Sequence, residues 1–301
     1  MLSICIPVYN VVVIELVNEL YHQSLTIKEK VEIIVIDDKS MDEIRLRNSS
    51  ISTISTYIEL PQNIGRSRIR NHFLNYTNYD YLLFLDCDVI IKDLFIKNYI
   101  SYLTTYHSNI ICGGYSSDVI KPKRSEKLRW LYSKKIEEAN AETRRKYNRF
   151  ATPNLLIKKE VLSNYPFDES IVGYGHEDTL MGMNLRKNNI KIDYFDNPVY
   201  CYHLDSNQVF VEKTNQAIDN LLILKQKYDH QYDFNEIKLI SYWSKLKKYK
   251  LNNLFYWINI PFKKLIENIL ISGYGNLFLF NYYKLIIINS KLKSKKIIEK
   301  S

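Results

Sequence analysis

Cysteine is scarce in this sequence, and its spacing excludes two kinds of site. The chain has 4 cysteines among 301 residues, and no two of them form a CxxC pair. The sequence therefore offers neither a disulfide framework nor a zinc knuckle, and it suits a reducing compartment. Glycine and proline are also scarce, at 8 and 7 residues. We attribute that shortage to genome composition and draw no functional conclusion from it.

The sequence also lacks a long apolar run and a basic leader. The longest uncharged stretch of the C-terminal part, residues 268–283, is interrupted by Asn, Ser and Gly. It falls short of the roughly 20 apolar residues that span a bilayer, so we expect no transmembrane helix. A strand-like run starts at Leu2 without a basic region before it, so we expect no signal peptide. These absences predict a cytoplasmic protein.

Positive charge is unevenly distributed along the chain. Residues 231–301 hold 13 Lys/Arg and 4 Asp/Glu, whereas residues 1–230 hold 29 of each sign. The basic segments alternate with aromatic and aliphatic ones, a pattern that suits an amphipathic helix on an anionic membrane. The alternative is a set of helices packed on the rest of the protein with lysines toward water. No nucleic-acid-binding motif accompanies the charge, so we expect no nucleic-acid partner.

The first 90 residues alternate between short apolar runs and helical patterns. Such runs are typical of strands that are buried on both faces. The predicted strands are Leu2–Val8, Val31–Ile36, Tyr57–Leu60 and Tyr81–Leu85, and the predicted helices are Val11–Leu25 and about Asn63–Asn75. This β-α-β rhythm predicts an α/β fold with a parallel, doubly wound sheet.

The pattern after Asp88 is less regular. The charged segment 121–149 reads as helical, either as a lid over bound substrates or as a solvated surface. We predict helices at Asp93–Tyr106, Thr179–Lys187 and Asn207–Tyr228, and strands at Asn109–Gly113, Phe150–Ile157, Ile190–Phe195 and Val199–His203.

Acidic residues follow two of the predicted strands where each strand ends. Asp37 and Asp38 end the second strand, and Asp86-Cys87-Asp88 follows the fourth. Ligands bind at the carboxyl ends of strands in a doubly wound sheet. In an extended segment, residues i and i+2 point to the same side, and all-oxygen ligation selects Mg²⁺ or Mn²⁺. The alternative is an acidic turn that caps the next helix.

Six segments in order resemble the inverting glycosyltransferase family 2. They are SICIPVYN, VIDDKS, NIGRSRIRN, LFLDCD, GYGHEDTLMG and the histidine of VYCYH, and they run from Leu2 to about Tyr228. The resemblance implies a GT-A fold, in which a Rossmann-like, mixed and mainly parallel sheet is flanked by helices. We expect a basic helical C-terminal extension in addition. The domains that follow are a nucleotide-sugar-binding half at 1–105, an acceptor half at 106–230 and the extension at 231–301.

The resemblance also implies roles for individual residues in the donor site. Pro7 and Tyr9 belong to the segment along the uridine, with the tyrosine ring near the base. Asp38 hydrogen-bonds the uracil imide, and Arg70 lies beside the base and Asp38, although Arg66 or Arg68 could replace it. In the resemblance, the ribose is bound by Asp86, the metal–diphosphate by Asp88, and the metal shell is completed by His203. The implied cofactor is Mn²⁺ or Mg²⁺.

The resemblance places the catalytic and acceptor-binding residues in the segment Gly-His-Glu-Asp, residues 175–178. It implies that Asp178 is the catalytic base and that Glu177 binds the acceptor. His176 stands where related enzymes commonly have glycine, so its imidazole either contacts the acceptor or packs. Other interpretations are a helix-terminal acid for Asp178, a core histidine for His203, core packing for Tyr9 and a loop cap for Asp37. Cys87, between the two acids, should have little effect.

The predicted function is therefore transfer of a sugar from a nucleotide-sugar to an acceptor hydroxyl. The resemblance favours a UDP-sugar donor, inversion, and a glycan or lipid-linked acceptor in cell-surface polysaccharide or glycolipid synthesis. A lipid-linked acceptor suits a peripheral position on the inner face of the cytoplasmic membrane. The main alternative is a catalytically inactive nucleotide-sugar-binding or scaffold protein. A nucleotidyltransferase would not need the separate Glu177–Asp178 pair.

Overall fold

The computed structural model describes residues 1–117 and 121–298. They form two compact units. The first unit comprises the described parts of 1–119, 135–173 and 177–203, and the second those of 120–134, 174–176 and 204–301. The domain boundary at residue 230 stays a prediction.

The elements follow one another in the α/β order that the sequence predicts for its first part. The strands are β1 (Leu2–Val8), β2 (Val31–Asp37), β3 (Thr56–Glu59), β4 (Tyr81–Leu85), β5 (Val89–Ile90), β6 (Ile110–Cys112), β7 (Tyr115–Ser117), β8 (Asn154–Lys158), β9 (Asp193–Tyr194) and β10 (Val199–Cys201). The helices are α1 (Ile14–Leu25), α2 (Asp42–Asn48), α3 (Arg66–His72), α4 (Phe95–Tyr106), α5 (Lys127–Tyr132), α6 (Ala141–Lys146), α7 (Lys159–Asn164), α8 (Glu177–Lys187), α9 (Asn207–Tyr228), α10 (Lys238–Lys248), α11 (Asn252–Asn259), α12 (Lys263–Ile271) and α13 (Leu277–Ile298).

The strands of the first unit form a mixed, mainly parallel sheet. Its seven strands lie in the order β3-β2-β1-β4-β8-β6-β9. The first four are parallel to one another, whereas β8 is antiparallel to both of its neighbours. The chain builds outward from β1 to β3 and then returns to the other side of β1 with β4. That reversal creates the crevice where open α/β sheets bind ligands, so the site is expected between β1 and β4.

Both faces of this sheet are covered, because side chains alternate along the strands. On β1, Leu2, Ile4 and Ile6 join a core with α1 and α4, and Cys5 joins the opposite core. That opposite core includes Phe73, Phe84 and Phe167, whose rings meet edge to face. Continuous apolar runs thus predicted strands correctly, since each such strand fills two cores.

Several predicted boundaries were wrong, for local reasons. The strand expected from Phe150 begins at Asn154, after Pro153, whose nitrogen cannot donate to a ladder. The strand expected at Ile190–Phe195 shortens to β9. Segment 121–149 is helical as predicted, but in separate pieces, because a 3₁₀ turn at Arg124–Glu126, α5, a π-helical turn at Ser133–Glu137 and α6 follow one another. The helix expected from Thr179 begins two residues earlier, at Glu177.

The second unit is helical in the part that the structure describes, and α9 packs against α5, α12 and α13. The prediction of α9 was correct at both ends. Phe210 of α9 packs against Tyr132 and Phe280, at ring-centroid distances of 5.2 Å and 5.1 Å. The Asn207 side chain links the start of α9 to residues 124–128. It accepts from the Leu128 N–H at 2.8 Å and donates to the Arg124 carbonyl at 3.0 Å. No helix in the described ranges combines the length and the apolarity that crossing a membrane requires.

Candidate active site

The loops that follow β1 and β2 are held together by hydrogen bonds. The Asp38 N–H donates to the Val8 carbonyl at 2.7 Å. Asn10 then donates its N–H to the Ser40 hydroxyl at 2.7 Å and accepts from the Met41 N–H at 2.8 Å. Asn10 takes a φ of 56°, a left-handed turn that asparagine tolerates. Two strand ends that are far apart in sequence thereby form one rim.

Pro7 and Tyr9 lie on this rim. Pro7 is half-buried, whereas Tyr9 is 54% exposed, so its ring is not a core residue. An exposed aromatic ring at a strand end offers a flat apolar surface to a ligand ring. The interpretation of Tyr9 as ordinary core was therefore wrong.

The two acids at the end of β2 are both buried, but they bind different groups. Asp37 accepts from the Ser40 N–H at 2.6 Å and from the Tyr57 hydroxyl at 3.1 Å, so it caps the loop, as one interpretation held. Asp38 accepts from the backbone N–H groups of Ile64 at 2.6 Å and Gly65 at 2.9 Å, one on each carboxylate oxygen.

Burial raises the pKa of Asp38, and these two backbone hydrogen bonds oppose the rise. Each carboxylate oxygen has a second lone pair with which to accept a further hydrogen bond. Asp38 can therefore hold the start of α3 and still accept from a ligand N–H group.

The Asp86-Cys87-Asp88 segment differs from its prediction. It forms a turn between β4 and β5, so the expectation of an extended segment was wrong, and the expectation that both acids address one centre stays a prediction. Asp86 is half-buried and Asp88 is exposed. Burial, and then the charges of Asp88 and Asp86, raise the pKa of Cys87 to about 12. The Cys87 side chain packs on the apolar core next to the turn, and its expected small effect stays a prediction.

A small second sheet places Asp88 and His203 at the same end of two paired strands, β5 and β10. In it, β5 pairs antiparallel with β10, and Val89 lies opposite Cys201. Asp88 immediately precedes Val89, and His203 lies two residues beyond Cys201. Burial, followed by the charge of Asp88, raises the pKa of Tyr202. The Tyr202 ring in turn lies 4.7 Å from the His203 ring.

This carboxylate and imidazole are donors that suit a divalent cation. Among the described residues, no group of three or more His, Cys, Asp or Glu side chains is arranged to hold a metal ion by itself. Sites for Mg²⁺ and related ions commonly use one or two carboxylates together with substrate phosphates. Asp88 and His203 fit that kind of incomplete site.

Two arginines of α3 link the end of β4 to the start of α8. Arg70 is 2% exposed and donates to Asp86 at 3.1 Å, and its other terminal nitrogen lies 3.8 Å from Glu177. Arg66 donates to the same Glu177 oxygen at 3.0 Å and lies 3.9 Å from Asp86. Residues i and i+4 lie on one face of a helix, so both arginines meet both acids.

The three arginines of α3 are therefore not equivalent. Arg68 faces another way and makes an exposed pair with Glu169 at 3.7 Å. The resemblance placed Arg70 beside Asp38, but among the described residues the ion pairs of Arg70 run to Asp86 and Glu177. Sequence reasoning considered Arg66 only as a replacement for Arg70. The four-residue spacing between them could have indicated that both arginines lie on one face of α3 and meet the same acids.

Glu177 and Asp178, in the first turn of α8, acquire different proton affinities. Burial alone would raise the pKa of Glu177, but Arg66 and Arg70 together lower it. Burial and the charge of Glu177 raise the pKa of Asp178 to about 6, against hydrogen bonds from Thr179 and the charge of Arg70. Thr179 donates its N–H at 2.6 Å and its hydroxyl at 3.2 Å to a single oxygen of Asp178. A carboxylate with this pKa can take up a proton near neutral pH.

The loop before these acids contains three residues in the left-handed region. Gly173 and Gly175 have φ of 80° and 98°, and His176 has a φ of 72°. Glycine adopts such angles without strain, whereas a residue with a Cβ does not. This backbone angle explains why glycine would suit position 176. His176 therefore occupies a strained position directly before Glu177.

Comparisons with known proteins identify the family and the fold. A family model described as Glycosyl transferase family 2 matches residues 3–165. S. aureus TarS 1–349 in complex with UDP is 17% identical with a TM-score of 0.53, covering 97% of this chain and 91% of that one. Another S. aureus TarS structure is matched over 40% of its own length. Curated protein sequences gave no match.

Two further structures were determined with Mn²⁺. The mannosyltransferase PcManGT from Pyrobaculum calidifontis, in complex with GDP-Man and Mn²⁺, is 14% identical with a TM-score of 0.54, covering 98% of this chain and 75% of that one. Glucosyl-3-phosphoglycerate synthase from Mycobacterium tuberculosis, with Mn²⁺, UDP and phosphoglyceric acid, is 18% identical with a TM-score of 0.51, covering 74% and 77%. At these identities the structures establish a shared GT-A fold. The family match, which spans more than half of the chain, establishes that the protein belongs to glycosyl transferase family 2.

Proposed function

We propose that this protein transfers a hexosyl or N-acetylhexosaminyl group from a UDP-sugar to an acceptor hydroxyl, with inversion at the anomeric carbon. The observation that carries the proposal is the pair of arginines that joins Asp86 to Glu177. Through them, the acids at the donor end of β4 and the acids at the start of α8 form one cluster. A donor site and a proton acceptor side by side are what glycosyl transfer requires.

In this proposal, the donor lies along the ends of β1, β2 and β4. The exposed ring of Tyr9, with Pro7 beside it, faces the base, and Asp38 accepts from the imide N–H of uracil. Asp86 binds the ribose while Arg70 holds its carboxylate in place. Residues 1–105 then form the nucleotide-sugar half, residues 106–230 the acceptor half, and residues 231–301 the basic extension.

The charge balance of the cluster favours a divalent cation. Arg66 and Arg70 are already neutralised by Asp86 and Glu177. A diphosphate placed near Asp88 would therefore add negative charge that these arginines cannot offset. Asp88 and His203 would hold Mn²⁺ or Mg²⁺, which supplies positive charge to the departing diphosphate.

The reacting step assigned to this chain is proton removal by Asp178. The acceptor oxygen forms its bond to the anomeric carbon while the bond from that carbon to the diphosphate oxygen breaks. The hydroxyl proton passes to Asp178, and the electron pair of the broken bond leaves with the nucleoside diphosphate. Glu177 stays ionised between two arginines and binds an acceptor hydroxyl, together with His176.

The acceptor proposed here is a glycan or lipid-linked sugar of cell-surface polysaccharide or glycolipid synthesis. In this proposal, the protein acts in the cytoplasm, at the inner face of the cytoplasmic membrane. Support comes from the basic, aromatic-rich C-terminal sequence, with twelve lysines and one acid in residues 237–298. The alternative, an inactive nucleotide-sugar-binding protein, shares the donor site but would not need a carboxylate whose pKa is raised to about 6.

The test is calorimetric titration of UDP, GDP and dTDP, each with and without Mn²⁺. We expect UDP binding that requires Mn²⁺ and is lost in Asp88→Ala. Asp42→Ala is the matched control, because that carboxylate lies on α2 and its side chain is 92% exposed. It should bind UDP as the wild type does.

Each result of this titration has a definite consequence. Metal-dependent binding of GDP or dTDP would overturn the UDP assignment and retain the transferase. Absence of metal-dependent binding for all three nucleotides would overturn the proposed function. Binding without hydrolysis or transfer of any UDP-sugar would favour the inactive alternative.

A further inference from the structure

The second unit carries an exposed apolar stripe across α11, the following 3₁₀ turn at Ile260–Phe262, and α12. Its five side chains are each more than half exposed: Leu254 57%, Trp257 66%, Ile258 55%, Phe262 53% and Leu265 57%. Leu254, Trp257 and Ile258 lie on one face of α11 at a spacing of three and four residues, and Phe262 and Leu265 follow in the 3₁₀ turn and the first turn of α12. Single exposed apolar residues are ordinary on protein surfaces, but several large ones close together in one segment indicate an interaction site.

The opposite side of α11 and α12 is anchored within the second unit. The stripe is therefore not the side by which these helices join the core. The Tyr282 hydroxyl of α13 donates to Asn259. Asn289 of α13 donates to the Asn252 carbonyl at 2.8 Å, and Ile266 of α12 is buried. Asn259 is the buried residue of α11, whereas Leu254, Trp257 and Ile258 of that helix are exposed. In contrast, α12 has the ordinary arrangement, because it buries Ile266 and Leu270.

The part of the sequence that carries the stripe is strongly basic. Residues 237–298 contain twelve lysines and a single acid, Glu267. That acid accepts from Lys264 at 3.3 Å. The Lys293 amine lies 4.4 Å from the centre of the Trp257 ring, and exposed Lys247 and Lys248 precede α11. An occupant of this surface must offer an apolar interior and negative charge at its border.

We propose that the stripe formed by Leu254, Trp257, Ile258, Phe262 and Leu265 is a docking face for an anionic lipid bilayer. The apolar side chains enter the boundary between headgroups and acyl chains, and the lysines bind the headgroups. Tryptophan is well suited to this boundary, and lysine stems can lie along apolar surface while the amines stay in water. This inference deepens the proposed function, on which it rests only for the idea of a lipid-linked acceptor.

Two other occupants fit the surface less well. A nucleic acid would use the lysines but would leave five apolar side chains in water. A second copy of the chain would bring an equally basic border against this one, so like charges would oppose the contact. Charge complementarity therefore favours an anionic bilayer.

The test is flotation of the full chain with vesicles, which requires no turnover. One set contains phosphatidylcholine alone, and the other an equimolar mixture with phosphatidylglycerol. We expect the wild type to float with the anionic vesicles, and less so at high salt. The double variant Trp257→Ser/Ile258→Ser should lose about tenfold or more in apparent partitioning.

A matched control removes exposed apolar residues of the first unit. Leu46 and Leu94 are 77% and 56% exposed, so Leu46→Ser/Leu94→Ser should float as the wild type does. Circular dichroism and UDP titration without vesicles establish that each variant is folded and retains its donor site. Normal UDP binding with lost flotation would support the docking face, whatever the sugar acceptor proves to be.

Three results would overturn the inference. The first is equal flotation of the wild type and the stripe variant on anionic vesicles. The second is equal binding to both vesicle types, which would remove the role of the lysines. The third is a lipid-free dimer that the stripe variant abolishes while neither protein floats, which would identify a second copy as the occupant.

Discussion

Glu177 and Asp178 are adjacent in the chain, yet their pKa values shift in opposite directions. Arg66 and Arg70 outweigh burial at Glu177 and lower its pKa. Burial and the neighbouring Glu177 charge raise the pKa of Asp178 to about 6. Divergent environments of this kind assign different roles to paired carboxylates, because one is favoured in its charged form and the other can exchange a proton near neutral pH.

Replacing the proposed base should abolish most of the rate without weakening donor binding. In Asp178→Asn, we expect kcat to fall by about 10²–10⁴-fold, the usual contribution of a general base. The amide oxygen can still accept from Thr179, so the turn should persist. Calorimetry should give a UDP affinity like that of the wild type. A variant with more than a tenth of the wild-type kcat would refute the role of Asp178.

The pH dependence should report the same carboxylate. A base acts when deprotonated, so kcat/KM should rise with pH through a midpoint near 6 and then level off. In Glu177→Gln the midpoint should move to lower pH, because a negative charge that raises the pKa of Asp178 has been removed. The control is Glu169→Gln, an exposed carboxylate that pairs with Arg68 and should leave the midpoint in place. A midpoint that stays or rises in Glu177→Gln would contradict this account.

The buried arginine of α3 should matter more for stability than its exposed neighbour. Arg70→Met leaves Asp86 and Glu177 with one positive partner, Arg66, and breaking a buried ion pair costs about 3 kcal/mol. Arg68→Met removes an exposed pair that contributes about 0.5 kcal/mol. Urea unfolding of both variants measures the difference. Equal losses of unfolding free energy would show that the arginine bridge does not stabilise the first unit.

Position 176 should separate backbone strain from side-chain chemistry. Since its φ is 72°, His176→Gly relieves strain that His176→Ala retains. We expect the glycine variant to be more stable than the alanine variant by about 1 kcal/mol, measured by thermal unfolding. If the imidazole binds the acceptor, both variants should raise the acceptor KM alike. An alanine variant as stable as the glycine variant would exclude the proposed strain.

Much of the first unit was predictable because its signals are local. Continuous apolar runs indicated strands such as β1 and β4, since each strand fills a core on both faces. The position of the candidate site in the fold then followed from a general rule, which is that open α/β sheets bind ligands at the carboxyl ends of their strands. The short strand β9 was poorly predicted because tertiary pairing with β6, not its own sequence pattern, defines it.

The candidate site was predictable as a set of residues but not as a set of contacts. Motif order nominated Asp86, Arg70 and Glu177, whereas the partner of each charge depended on packing. The ladder between β5 and β10 similarly determined which end Asp88 and His203 share. The turn at Asp86–Asp88 overruled an argument based on extended geometry.

By itself, then, the sequence determined the α/β class, the glycosyltransferase resemblance, the acidic strand ends and the basic C-terminal region. Those features depend on composition, periodicity and short motifs, which neighbouring residues encode. Only the tertiary structure decided that Arg66 meets Glu177 across 111 residues, that Asp178 becomes a weaker acid than Glu177, and that a Trp257-centred stripe faces water. Proton affinity and exposure depend on which groups surround an atom, and folding brings those groups from distant parts of the chain.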